Sequence, residues 1–524
     1  MLSQRIEVDV TSPLSPVTTG ERIEELDVVR GFALIGVFLM NVEFFNRSMN
    51  GIGEGMPAGL SGIDWFASWF IAYFVQGKFW TMFALLFGMG FAVMLTRAEL
   101  GNRAFLVPYL RRILALAVFG AMHFIFLWAG DILFSYACGA GGLLVLLYGK
   151  WKRIVIALVA LIGLAFIPGS HSVGAIAGSL AFISLLAIFM RSEHEVRGRV
   201  PLFSFIFLIL GTLGALASIA LWVLPDGPKE PRVPVTTLSS LFLLVSFLSA
   251  KYRNPVELRS VRLGVGVYVL PSLMIIVMGA AQYVSPPTLS AEDKVERAEE
   301  LVKYEERKID EERVLSTGTY VEAVGLRARD FPSRISEQMG LAVVAIGMFL
   351  IGFWFVRSGV MANVGAHLPL FRKLAKYGLP VGIGLGLLGS LLATSHTPGS
   401  DTDGFTLARG LAMLGNLPAS LGYVGLVVLM LNSRSALAGI RVLAPVGRMA
   451  LTNYLTQSLI STFVFYGYAG GQWGLSRAWQ VVFVVTIFGL QILFSHWWLS
   501  RFRYGPLEWV WRAFTYRQRP AMRL

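Results

Sequence analysis

The stretch RRILALAVFGAMHFIFLWAGDILFSYACGAGGLLVLLYGKWKR, residues 111–153, decides the fold. It holds two apolar runs, Arg112–Ala129 and Ile132–Tyr148, joined by Gly130 and Asp131 with no lysine or arginine between them. Basic residues stand at both outer ends, Arg111–Arg112 and Lys150–Arg153. A helix crossing a ~30 Å hydrocarbon layer needs about 20 apolar residues, so each run approaches one crossing. Cytoplasmic connections retain lysine and arginine, so the stretch reads as an out-and-back pair with both ends in the cytoplasm.

The same alternation runs through the chain. Apolar segments recur near 31–45, 154–167, 173–190, 202–224, 235–250, 263–284, 340–356, 377–394, 405–431, 451–468 and 478–499. Ile63–Leu95 is too long for one straight crossing, and its centre, Gln76-Gly77-Lys78, suggests an interfacial or re-entrant helix followed by a true span. Basic clusters fall on alternate connections: Arg97–Arg112, Lys150–Arg153, Arg191–Arg199, Lys251–Arg262, Arg357–Lys376 and the tail Arg501–Arg523. The connection Ser285–Arg334 holds 9 lysines and arginines but is long, and long loops translocate largely regardless of charge. The expected fold is an all-α polytopic transmembrane helical bundle of about 12–14 spans, with one charged external helical loop and both termini cytoplasmic.

Six regions follow: a disordered tail over 1–21, a transmembrane core over 22–149, additional transmembrane helices over 150–284, the charged loop over 285–335, C-terminal helices over 336–500, and an interfacial tail over 501–524. The first twenty residues lack the apolar core of a signal peptide. Within the loop, Ala291–Val314 reads as a solvated helix with i,i+4 pairs Asp293–Arg297 and Glu299–Lys303. The net charge of +13 is a topology signal and an attraction to anionic membrane lipids, and there is no basic-aromatic groove for nucleic acid. The single cysteine, Cys138, allows no intrachain disulfide and sits in apolar sequence unsuited to a thiolate. No His, Cys and carboxylate spacing suits a metal, so no tightly bound cofactor is expected.

Ionisable groups inside spans are costly and mark function by default. His123 lies eleven residues beyond Arg112, about 16 Å into the membrane, and is the only histidine at such depth. A histidine side chain can take a proton at neutral pH, as a general base must; the other reading is a packed histidine bonded to a backbone carbonyl. Asp131 is eight residues on, about 12 Å along a straight helix, too far for direct pairing. It reads as a substrate-orienting or cation-pairing group, or as a cap for the following helix. Other embedded or half-embedded polar residues are Asn41, Glu43, Lys78, Arg409, Asn416, Asn453, Gln457 and Gln491. Lys78 can neutralise a phosphate or carboxylate, or snorkel. Asn453 and Gln457 lie on one face and suit interhelical hydrogen bonds. Gly88 and Gly90 suit close helix contact rather than a phosphate loop.

Several blocks together carry a family likeness: RIEELDVVRGFALIGVFLMN (22–41), GKFWTMFALLFGMGFA (77–92), RRILALAVFGAMHFIFLWAGDILFSYA (111–137), TGTYVEAVGLRARDF (317–331), GRMALTNYLTQSLI (447–460) and RFRYGPLEWVWRAFTY (501–516). In this the chain resembles the YeiB-like family of bacterial polytopic membrane proteins, a domain of unknown function, which implies the bacterial cytoplasmic membrane. Residues 150–284 look unlike the shorter members. LDVVRGFAL also resembles the start of transmembrane acyltransferases such as heparan-α-glucosaminide N-acetyltransferase. That likeness implies a histidine base, a cytoplasmic acyl-CoA donor, and an envelope lipid or glycan acceptor across the membrane. It puts Arg30 at the cytoplasmic mouth of the first span, with Asp27 beside it. The chain departs from the relatives at two places: Asn41 stands where the O-acyltransferases carry histidine, and 46–64 contains none.

Three functions then compete. In an acyltransferase His123 is the base, Asp131 orients, Asn41 or Asn453 stabilises the oxyanion, and Arg30, Lys78, Arg448 and Arg512 are candidates for CoA phosphates. GPLEWVWR, residues 505–512, reads more conservatively as an interfacial helix with Trp509 and Trp511 as anchors and a Glu508–Arg512 pair. A proton-coupled transporter of a small polar or amphipathic solute would use His123, Lys78 and Arg409. A scaffold would leave His123 in dry packing. A tunnel from the basic groups to His123 favours the enzyme, and paired broken helices favour the carrier.

Overall fold

The computed structural model describes residues 22–167, 171–224, 231–284 and 290–524. The tail expected over 1–21 lies outside the described residues. Apart from a two-residue hairpin pairing Glu195–Val196 with Val200–Pro201, the described secondary structure is helical. Among the described residues eleven helices are long and apolar enough to cross a membrane, and the shorter Leu133–Tyr148, Trp151–Ala165 and Ala450–Phe465 lie where spans were expected. The chain is an all-α polytopic membrane bundle.

The first helix, Glu24–Asn41, is its axis: Val28, Ala33, Leu34 and Val37 are almost wholly buried. It packs against Lys78–Leu100, Phe405–Leu431, Ala450–Phe465, Arg477–Leu499 and the short Ala444–Arg448. Small residues bring these helices together, since in lipid it is packing, not water exclusion, that drives association. A Cβ on Gly447 would lie 1.9 Å from the Asp27 carbonyl oxygen. Likewise a Cβ on Gly88 would lie 2.1 Å from the Phe349 carbonyl oxygen, and one on Gly352 2.0 Å from that of Leu85. Gly88 is thus a helix-contact glycine, as its sequence suggests. By contrast Leu202–Val223 and Arg232–Lys251 pack mainly on each other and leave Leu213, Leu216, Ile219 and Phe247 exposed, as a lipid-facing pair should.

The long run 62–100 breaks where expected. Gly62–Phe70 passes through a wide turn, Ile71–Val75, then Gly77 adopts φ 77° and Lys78–Leu100 begins. Only glycine takes that conformation without strain.

The charged helix runs Ala291–Thr317, opened by a Ser290/Asp293 capping box. Asp293 closes that box instead of pairing with Arg297, which reaches Asp401; Glu299 and Lys303 do approach, at 4.0 Å. A second box, Thr319/Glu322, opens the helix Tyr320–Arg357, whose 38 residues extend about 57 Å. The charged helix is fastened to 48–54: buried Glu311 accepts from Ser48 and from Asn50 Nδ2 at 2.7 Å, while Glu54 accepts from Lys308 at 2.6 Å and Tyr304 at 2.8 Å. Burial raises the Glu54 carboxyl, but the Lys308 and Tyr304 bonds outweigh this and hold it below 4.5. A depressed folded value gives stability that is complete above the ordinary value and lost as pH falls through the folded one. The charged helix is therefore expected to loosen below pH 4.5. Hydrogen exchange over 291–317, referred to intrinsic rates, should rise there; unchanged protection would refute the clamp.

Candidate functional site

The helix Leu106–Phe126 carries His123 in its last turn, 2% exposed. The chain leaves helical geometry after Phe126 and turns back through Leu127–Ile132 before Leu133–Tyr148 begins. That reversal returns Asp131 to the histidine, with Nδ1 to Oδ2 at 2.7 Å. The 12 Å separation expected for one straight helix does not apply, because the helix has already ended. Asp131 is itself 3% exposed, and its Oδ1 accepts the Phe134 N–H at 2.8 Å, so it also caps the next helix. An ionised carboxylate only accepts, so Nδ1 carries the proton and Nε2 presents its lone pair. Nε2 is buried without a hydrogen-bond partner among the described residues. A general base needs this arrangement, one ring nitrogen fixed by a carboxylate and the other free of protein partners.

A cavity of about 270 Å³ reaches Ile132 and Tyr454, next to the pair, although neither His123 nor Asp131 lines it. Six arginines line the cavity, Arg22, Arg30, Arg97, Arg112, Arg448 and Arg512, against two carboxylates, Asp27 and Glu508. These charges come from the ends of separate helices. Arg30 bonds Asp27 at 2.9 Å, and Arg112 lies over the Trp511 ring at 4.3 Å. Burial, with Arg22 and Arg112 nearby, lowers the Arg512 guanidinium below its ordinary value. Such a cluster favours an anion. Beyond the charges the lining turns apolar and aromatic: Val37, Phe83, Leu86, Phe87, Gly90, Ile132, Leu133, Tyr136 and Tyr454. Tyr454 closes the far end, its ring centroid 5.2 Å from that of His123 and its hydroxyl 3.5 Å from the Gly130 carbonyl.

Arg30, Arg448 and Arg512 thus line one cavity, but Lys78, Asn41 and Asn453 do not join them. Lys78 does not line the cavity; it is wholly buried beside Gly386, its Nζ without a hydrogen bond, because the helix break puts it on the opposite end of the helix from Arg97. Asn41 lies one turn beyond Val37, buried outside the cavity lining. The Asn453 amide is occupied by Val446 O at 3.2 Å and Ser495 at 3.1 Å, and Gln457 bonds Gln491 at 2.9 Å, so this pair ties helices together. Arg409 lies within the candidate span Phe405–Leu431, on an exposed face of that helix and outside the cavity lining. Glu508 does not pair with Arg512: it caps Ala450–Phe465, accepting from Leu451 N at 2.7 Å, Thr452 N at 3.0 Å and Thr452 Oγ1 at 2.6 Å. Gly90 faces open space in the cavity wall rather than a neighbouring helix. The arginines at 22, 97 and 112 were missed because each reads as an ordinary topology charge. Their convergence is visible only when the helix ends meet.

Residues 355–518 match the family described as "Protein of unknown function (DUF418)". That segment supplies one wall of the cavity, including Arg448, Tyr454, Glu508 and Arg512, while His123 and Asp131 lie outside it. The chain is similar to the uncharacterized protein YxaH of Bacillus subtilis, 26% identical over 514 residues, covering 96% of this chain and 97% of that protein. Uncharacterized protein YeiB of Escherichia coli is 24% identical over 500 residues, covering 95% and 97%. An uncharacterized 39.9 kDa protein of Bacillus acidopullulyticus is 35% identical over 154 residues, 29% of this chain and 42% of that one. No solved structure matches. The chain is a polytopic membrane protein similar to YxaH and YeiB over nearly their whole lengths, and its residues 355–518 match DUF418.

Proposed function

We propose that this protein is an integral-membrane acyltransferase that takes an acyl group from acyl-CoA and delivers it to a hydroxyl or amine of an envelope lipid or glycan. One observation carries the reading: the His123–Asp131 pair, with Nε2 unpartnered among the described residues, packs directly behind Tyr454, which lines the apolar end of a cavity that six arginines also line. By the alternation of basic connections, the arginine mouth of that cavity faces the cytoplasm of a bacterial cell. At about 270 Å³ the cavity is at the small end for ligand sites, suited to a slender thioester-bearing arm with its phosphates held outside by the arginines.

His123 Nε2 takes the proton of the acceptor O–H or N–H as that atom attacks the thioester carbonyl carbon. Asp131 holds the tautomer and stabilises the imidazolium. The C–S bond then breaks, and the imidazolium returns the proton to the departing thiolate. The net change is one acyl group exchanged for one proton, without redox.

The test is CoA-thiol release by the purified protein in lipid nanodiscs, from acetyl-CoA and longer acyl-CoAs, with membrane lipid and glycan extract as acceptor. Release that depends on the extract and is lost in His123→Ala is the expected result. A folded wild type that releases no thiol from any donor would remove this reading.

The carrier reading has its own observation. Lys78 Nζ and Asn416 Oδ1 are both buried without hydrogen bonds beside the break at Gln76-Gly77. Discontinuous helices with buried polar groups are where carriers bind solutes. Solute flux in proteoliposomes, abolished by Lys78→Met but not His123→Ala, would support it instead.

A further inference from the structure

Behind His123, at the far end of its helix from Arg112, lies a second and smaller pocket of about 10 Å³. Phe124, Trp128 and Ala129 line it from the histidine's own segment, and Arg327 lines it from the helix Tyr320–Arg357. Arg327 is 3% exposed. Its Nε donates to the Ile125 carbonyl at 2.9 Å, which fixes the guanidinium two residues from the base. Its Nη1 and Nη2 are both buried without a hydrogen-bond partner, and among the described residues it makes no ion pair.

The carboxylates of the same pocket are engaged elsewhere. Glu311 accepts from Ser48 and Asn50, and Asp330 lies 3.6 Å from Arg329. An unpaired buried charge costs several kcal/mol. A guanidinium left with two adjacent free nitrogens presents the fork that matches a phosphate or carboxylate in a bidentate way.

We propose that Arg327 forms an oxyanion-binding site for the acceptor, which therefore carries a phosphate or carboxylate close to the group that is acylated. The acceptor role rests on the acyltransferase reading; the binding of an oxyanion does not. The two substrates then approach His123 from opposite ends of one helix, the donor past Arg112 and the acceptor past Arg327. The pocket as it stands holds about one water, and its outer wall is Glu311 and Leu315 of the charged helix. Entry of a headgroup therefore displaces that helix.

The experiment uses the full chain in phosphatidylcholine nanodiscs. Thermal stability is measured against inorganic phosphate and, separately, against phosphatidic acid in the disc, for wild type, Arg327→Gln, Arg327→Lys and the exposed control Arg329→Gln. Stabilisation of wild type and control that vanishes in Arg327→Gln is expected. A response to both probes identifies a site open to any oxyanion, and a response to the lipid alone identifies a headgroup site. Arg327→Lys keeps the charge but loses the fork, so it covers the case in which Arg327→Gln does not fold; about tenfold weaker binding is expected of it. No stabilisation of wild type, or equal stabilisation in the folded Arg327 variants, overturns the site. Where transfer is measurable, Arg327→Lys should raise KM for the acceptor and leave KM for acyl-CoA unchanged. A protein that binds the oxyanion but releases no CoA thiol would keep the site and lose only the acceptor role.

Discussion

Asp131→Asn is expected to lower kcat for acyl transfer by about 10⁴-fold while the protein stays folded and its KM for acyl-CoA is unchanged. The size comes from the handling of one proton. Asp131 Oδ1 accepts the Phe134 N–H, and an asparagine must keep its carbonyl oxygen there to cap the helix. Its amide then faces His123 Nδ1 as a donor. This forces the proton to Nε2 and removes the lone pair the reaction needs. Steady-state kinetics in nanodiscs read this directly, with thermal stability as the control. A variant within a few-fold of wild type would show that His123 is a packed histidine, whatever the cavity binds.

Gly90→Phe is expected to reduce kcat/KM for long-chain acyl-CoA on the order of 100-fold, with a smaller loss for acetyl-CoA. Phe83, Leu86, Phe87, Gly90, Met94 and Arg97 form one stripe of the helix Lys78–Leu100, spaced three and four apart, and all line the cavity. Phe83 and Arg97 are fourteen residues apart, so the stripe runs about 21 Å from the arginine mouth inward. Gly90 sits midway, and a Cβ there meets nothing within 4 Å. A phenylalanine therefore fills the passage without pushing on another helix, and melting should hardly change. Gly88→Phe, two residues earlier, drives instead into the Phe349 backbone and should cost assembly. If both acyl-CoAs are used as well by Gly90→Phe as by wild type, the donor does not enter this cavity.

The bundle was legible because spans announce themselves by length and basic connections by composition. His123 was legible for the same reason: a deep histidine stands out against apolar sequence. Its partner was not. An unbroken helix would hold Asp131 about 12 Å from His123, and the end at Phe126 depends on how Trp128 and Gly130 pack, which no periodicity encodes. Trp128 is buried, bonded to the Phe44 carbonyl and stacked on Phe45, contacts that join segments eighty residues apart. The arginine mouth was half legible: Arg30, Arg448 and Arg512 read as candidates for phosphate, while Arg22, Arg97 and Arg112 looked like orientation signals. Arg327 was hidden differently, counted among the charges of a solvated loop although its helix continues without a break into the span.

Tyr454 lines the cavity, Trp128 lines the smaller pocket, and the His123 ring packs against both. Where water and ions penetrate from both faces, the membrane potential falls across whatever insulating layer remains. Here His123 lies between the cavity and the smaller pocket, inside that layer. A proton crossing the full potential gains or loses about 2.3 kcal/mol per 100 mV. Loading or unloading His123 from one side would feel a large share of that, so an energised cell bilayer and a relaxed vesicle should run this centre at different speeds.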